Sequence, residues 1–229
     1  MKPILAVTKV EQVRRAILGM IFDRSLAAGQ RLLEAKLAAQ LQVSQATVNA
    51  ALQDLHAQGV VTKLLNRSTN VNRYTQREID QLFSVRMVLE PVATAAAARA
   101  LTPEGKRALL EQVEQMRWAA RSNDLSRFCL ADYQFHQEVY RLSDNSFLIQ
   151  ACQAIAAAPF AYILCGLVSA LPTDYGSLAE DHAEIVAAME RSPEAAAALT
   201  AERIEGWRLH SAHALEALTE YEITTANAS

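Results

Sequence analysis

Apolar residues in the first sixty positions recur at three- and four-residue intervals. Val10, Val13, Ile17, Met20 and Ile21 share one helical face. The preceding Thr8-Lys9-Val10-Glu11 has the form of a capping box. Gly29 supplies a turn, and Arg31-Leu32-Leu33 reads as a short strand. A second helix follows from Glu34 to Leu41, with Leu37, Ala38 and Leu41 inward. Only Gln42 and Val43 then intervene before Ser44, which caps a third helix running to about Gln58. Gly59 ends that helix as a C′ glycine does. Val60 to Leu64 and Thr69 to Asn72 read as two strands around Leu65-Asn66-Arg67-Ser68, a hairpin or wing.

Beyond residue 75 the period stays helical, with no sustained alternation. Thr75-Gln76-Arg77-Glu78 is a second capping box, and Thr102-Pro103-Glu104 places a cap before a first-turn proline. The spacing predicts helices near 76–101, 103–122, 126–142, 146–170, 177–191 and 193–221. The expected fold is therefore mainly α: a winged helix-turn-helix over residues 1–74, then an all-α helical bundle over 75–229, joined around Arg73 to Thr75. Alanine-rich tracts at Ala93 to Ala100 and Ala195 to Ala198 read as close helix packing.

Composition narrows the classes. With 51% hydrophobic residues, seven Gly and six Pro, the chain is neither disordered nor collagen-like. Met1 to Val7 lacks the long apolar region of a signal peptide. Pro159 to Pro172 is shorter than the roughly 20 residues a bilayer requires, so a buried core helix is expected and no membrane partner. Cys129, Cys152 and Cys165, an odd number with no close pair, argue against a disulfide framework and point to a reducing cytoplasm.

The net charge of −3 conceals a division. Residues 1–75 hold ten Lys and Arg against four acids, a charge of +6, and the remainder carries −9. A basic third on an acidic body suits one module that meets a phosphate backbone and one that does not. Helix, helix, tight turn, helix, hairpin presents the start of the third helix to major-groove base edges. Ser44, Gln45, Thr47 and Asn49 occupy that start. Gln and Asn pair with adenine, and Ser and Thr bond phosphate or bases. Arg31, Lys36 and Arg67 are the accompanying cationic candidates for DNA contact.

The run Leu37-Ala38-Ala39-Gln40-Leu41-Gln42-Val43-Ser44-Gln45-Ala46-Thr47-Val48-Asn49-Ala50-Ala51-Leu52, continuing to Leu55 and Gly59-Val60-Val61, resembles the GntR family of bacterial transcription factors. The family's two arginines in this helix fall at Gln45 and Asn49, its proline at Thr47 and its acidic residue at Ala50. A further DNA-contacting arginine of the family falls near Ala35, beside Lys36, and the wing glycine at Ser68. The departures predict an operator read through Gln and Asn, richer in A·T than the family's guanine-contacted half-site.

The second half resembles the FCD ligand-binding domain of one GntR subfamily. The matching residues are Arg86 and Glu90; Asp132, Phe135 and His136; Ser143 to Leu148; and His182, Ile185, Val186 and Ala188. Asp132 and His136, four apart, share a helix face and can ligate one ion, on which His182 of a later helix can converge. The resemblance implies these three as ligands of a divalent ion of zinc, nickel or manganese type, and a further histidine 21–22 residues past His182. Arg203 and Ile204 stand there instead, with His210 and His213 about two turns on, so the fourth ligand is absent. Three readings stay open: three ligands still hold the metal; the Arg203 guanidinium replaces the cation, pairing with Asp132 or gripping an acidic effector; or Asp and His form a buried pair without a ligand. Arg86 grips an effector carboxylate or pairs with Glu90. Tyr133, Tyr140 and Trp207 are pocket or core.

The sequence is thus read as a homodimeric DNA-binding repressor, not an enzyme, whose operator affinity follows a small organic-acid effector in the helical domain. A helical Asp/His metalloenzyme and a regulator that has lost effector sensing are the competing readings.

Overall fold

The computed structural model describes residues 8–63, 68–155 and 174–226, with side chains to residue 153 in the second stretch and to residue 209 in the third. Two compact units divide the chain, Met1–Arg73 and Tyr74–Ser229.

In the first unit, α1 (Lys9–Phe22), β1 (Arg31–Leu32), α2 (Glu34–Leu41), α3 (Gln45–Ala57), β2 (Val61–Lys63) and β3 (Thr69–Val71) follow in order. Ile17, Leu18, Ile21 and Phe22 of α1 are buried with Val48, Ala51, Leu52 and Leu55 of α3, and α1 packs on α3. Val10 and Met20 of the expected stripe are only half-buried, while Leu18 and Phe22 complete it. The helix stripe spans more than one residue in each turn, which a strict 3/4 spacing undercounts. Thr8 caps α1 by accepting from the Glu11 amide. The reciprocal half of the expected box is replaced by ion pairs, because the Glu11 carboxylate turns to Arg14 at 2.7 Å and Arg15 at 2.6 Å.

The strands form one antiparallel sheet in the order β1-β3-β2, with Leu32 opposite Thr69 and Lys63 opposite Thr69 on the other side. The turn between α2 and α3 is made by Gln42 in the left-handed region, φ 54°. The Val43 amide then donates to Ala38 O at 3.0 Å. Ser44 caps α3 by accepting from the Thr47 amide at 3.1 Å. Gly59 takes φ 74° beyond its end. Arg67, the wing cation, lies outside the described residues.

The second unit contains α4 (Gln76–Arg99), α5 (Pro103–Arg121), α6 (Leu125–Leu142), α7 (Ser146–Ile155), α8 (Tyr175–Arg191) and α9 (Pro193–Ala226). Thr75 and Glu78 complete both halves of the expected capping box at the start of α4. Helix α9 packs on α4 and α8, α5 on α6 and α8, and α4 on α6 and α7. Ala93 and Ala97 of α4 and Ala196 of α9 are fully buried, and Thr200 donates to Thr94 at 3.2 Å between the same two helices. Small side chains allow backbones to approach this closely. Of the expected 146–170 helix the described part is Ser146–Ile155; the Pro159 to Pro172 stretch lies outside. Among the described residues no helix is long and apolar enough to cross a membrane.

The expectation of unbridged cysteines is corrected. Cys129 is disulfide-bonded, whereas Cys152 is a free, buried thiol pushed up to about 12 by burial, with Glu90 adding to it.

Candidate functional site

Helix α3 begins with an exposed stretch. Ser44 and Gln45 are exposed and Thr47 and Asn49 half-buried. The Ser44 and Thr47 hydroxyls lie 2.8 Å apart, so the cap engages both. Asn49 is held from two sides, its Nδ2 donating to Glu34 Oε1 at 2.7 Å and its Oδ1 accepting from Gln53 Nε2 at 2.8 Å. A surface groove brings Arg31, Glu34, Lys36, Asn49 and Lys63 together. Sequence reasoning singled out neither Glu34 nor Gln53. Gln53 was discoverable from its place one turn after Asn49; Glu34 needed the tertiary approach of α2 to α3.

In the second unit α6 places Asp132 and His136 one turn apart, and α8 brings His182 to them. One ligand atom from each lies within 4.8 Å of the others. His182 Nε2 is 3.0 Å from Asp132 Oδ1, and His136 Nε2 is 3.9 Å from the same oxygen. On its other side His182 Nδ1 lies 2.7 Å from Leu178 O. A carbonyl only accepts, so Nδ1 carries the proton of a neutral ring and Nε2 offers a lone pair. Two lone pairs facing each other at 3.0 Å repel unless a proton or a cation lies between them. Asp132 Oδ2 is buried and has no hydrogen-bond partner among the described residues. This donor set fits a divalent ion of intermediate hardness.

Helix α4 supplies the next layer. Arg86 Nε donates to Glu90 Oε1 at 2.6 Å and Nη2 to Oε2 at 3.1 Å, a buried bidentate pair. Arg86 thus makes the salt bridge, and it also lines the cavity above Asp132. Glu90 Oε2 lies 3.5 Å from His136 Nδ1.

Burial pulls on every charge here. It acts to raise Glu90 and Asp132, but Arg86, His136 and Tyr140 together outweigh it at Glu90, and His182, His136 and Arg86 together outweigh it at Asp132, so both carboxylates titrate below their ordinary range. Burial prevails at His136 and lowers it. At His182 burial is opposed by the hydrogen bond and charge of Asp132, the Leu178 carbonyl and Asp181, which together prevail and raise it.

A small cavity of about 40 Å³ opens over these residues, and Arg203, Ile204 and Trp207 line it from α9. Arg203 does not pair with Asp132. Its Nη2 lies 2.5 Å from Glu184 and 3.3 Å from Asp181, two acids of α8 that take the guanidinium in place of Asp132. Ile204 is buried, an apolar side chain at one of the two positions where the FCD resemblance implies a histidine, in line with an absent fourth ligand. Tyr133 and Tyr140 are core residues. The side chains of His210 and His213 lie outside the described part.

Comparisons with known proteins follow the same division. Residues 9–71 match the model of bacterial regulatory proteins, gntR family, and residues 81–206 match the FCD domain. A probable D-xylose utilization operon transcriptional repressor of Paenarthrobacter nicotinovorans is 29% identical over 82% of each chain. The gluconate operon transcriptional repressor of Bacillus licheniformis is 25% identical over 68% of this chain and 63% of its own. Among solved structures, E. coli McbR/YncC has a TM-score of 0.73 at 22% identity, covering 94% of this chain and 100% of that one. With both domains matched in order over most of its length, the chain belongs to the GntR family of bacterial transcriptional regulators and carries an FCD domain behind its winged helix-turn-helix.

Proposed function

We propose that this protein is a cytoplasmic repressor that binds its operator as a homodimer and releases it when a small organic acid enters the helical cavity. Residues 1–74 act as the reader and residues 75–229 as the sensor. Gln45, Asn49, Ser44 and Thr47 face the groove, while Arg31, Lys36 and Arg67 meet phosphates. Two half-sites require two readers, and Val88 and Val92, exposed one turn apart on α4, offer an apolar face to a second copy.

In the sensor, Asp132, His136 and His182 would hold a divalent cation of zinc, nickel or manganese type, which would supply positive charge for an effector carboxylate. Arg203 at the mouth adds a second cationic contact, and Arg86 stays with Glu90 and sets the polar floor. Two relatives are named for sugar and sugar-acid operons, and a hydroxy acid of that kind suits a cation beside a guanidinium. The protein acts by binding: the effector shifts the orientation of the readers by its differential affinity for the two states.

The observation that carries this reading is the convergence of Asp132, His136 and His182, one ligand atom from each within 4.8 Å of the others, beside an Asp132 Oδ2 that is buried and has no hydrogen-bond partner among the described residues. The raised titration of His182 favours a second reading, a proton in place of the cation and an Asp–His ion pair at the base of a metal-free pocket. Calorimetric titration with zinc, nickel and manganese, with Asp132→Ala beside the wild type, separates them. A stoichiometric site that weakens at least tenfold in the variant supports the cation; no heat in either protein supports the proton. Organic acids that lower affinity for the protein's own upstream DNA identify the effector class.

A further inference from the structure

Three side-chain amides stand on successive turns of α3: Gln45, Asn49 and Gln53. The middle one is fixed. Asn49 Nδ2 donates to Glu34 Oε1 across to the first residue of α2, and Asn49 Oδ1 accepts from Gln53 Nε2. A carboxylate accepts and never donates, so Glu34 determines which end of the Asn49 amide is nitrogen. An asparagine amide offers two N–H bonds and two lone pairs. The two neighbours use one of each, leaving one N–H and one lone pair for an outside partner. That is the donor–acceptor combination adenine requires at N7 and N6 in the major groove.

We propose that Glu34 is a specificity-determining positioning residue, which through Asn49 sets a preference for adenine at one operator position. The inference rests on the reading of α3 as the helix that enters the groove. Glu34 gains nothing from DNA directly, since its charge repels phosphates while Arg31, Lys36 and Lys63 around the same groove attract them. A carboxylate here lowers general affinity. What it supplies in exchange is a single orientation of the reading amide.

The test uses the full-length protein and duplexes recovered by binding-site selection. Asn49→Ala locates the position whose base preference depends on that residue. The wild type is expected to favour adenine there by about tenfold or more, and to lose that preference when 7-deazaadenine removes the N7 acceptor. Glu34→Gln presents an amide that either accepts or donates, so Asn49 can take both orientations. Its preference falls to about threefold or less, while affinity for every duplex holds or rises with the lost negative charge. In the Asn49→Ala background, Glu34→Gln changes no base preference. Glu34→Ala removes the acceptor altogether and repeats the test independently, with circular dichroism checking the fold of each variant.

A Glu34→Gln protein that keeps the wild-type preference, or changes all duplexes equally, overturns the proposal and leaves Glu34 a charge effect. A wild-type preference insensitive to Asn49→Ala overturns it as well. Absence of salt-dependent affinity for any duplex is a separate failure, which removes the reading of α3 itself and this proposal with it.

Discussion

His182 illustrates how one residue constrains a site. Its Nδ1 proton belongs to Leu178 O, so the question of cation or proton at Nε2 is set by a backbone carbonyl one turn away. Glu11 makes the same point at the other end of the chain. Burial acts to raise its pKa, but Arg14 and Arg15 outweigh that and hold it below the ordinary 4.5. A depressed carboxylate contributes stability that is full above 4.5 and lost as pH falls through the lower folded value. Glu11→Gln is therefore expected to lower stability by about 0.5 kcal/mol near neutral pH, a small figure because solvent screens the pair. The difference from wild type closes in acid, as denaturant melts at both pH values check. The capping-box pattern at Thr8 was legible, but the fate of the Glu11 side chain was not, because two arginines one turn on compete for it.

At the scale of elements, helix starts were the most legible feature. Thr75 and Glu78 satisfy each other's backbone donors, and the pattern needs nothing beyond four residues of sequence. Thr75→Ala is expected to cost about 1 kcal/mol and to lower the thermal midpoint of the helical unit. An unchanged midpoint would show that α4 is held by packing alone. The turn between α2 and α3 was also readable from its length. Its dependence on Gln42 in the left-handed region was not, since that conformation is stabilised by the two helices it connects. The juxtaposition of Glu34 and Asn49 lies at the same scale: each residue was visible, and only the crossing of α2 over α3 shows that they bond.

For the whole molecule the decisive feature is the uneven charge. A basic reader on an acidic body predicts binding that weakens steeply with salt. Lys36→Ala is expected to weaken binding to specific and unrelated duplexes alike and to reduce the slope of log affinity against log salt by about 1. A slope that does not move would place Lys36 away from phosphate. Positioning through Glu34 and attraction through Lys36 are thus separable, one read in base preference and the other in salt dependence.

Local rules determined much of this protein. Apolar period, caps and two-residue turns fixed which segments are helices, where the wing falls, and that Asp132 and His136 share a helix face, because each depends on residues within a few positions of one another. Contacts between distant segments needed the folded chain. His182 reaches Asp132, Arg203 turns to Asp181 and Glu184 instead of Asp132, and Glu34 holds Asn49. Which groups meet is set by how helices cross and how deeply each side chain is buried, and neither quantity is written in the spacing of residues along one strand of sequence.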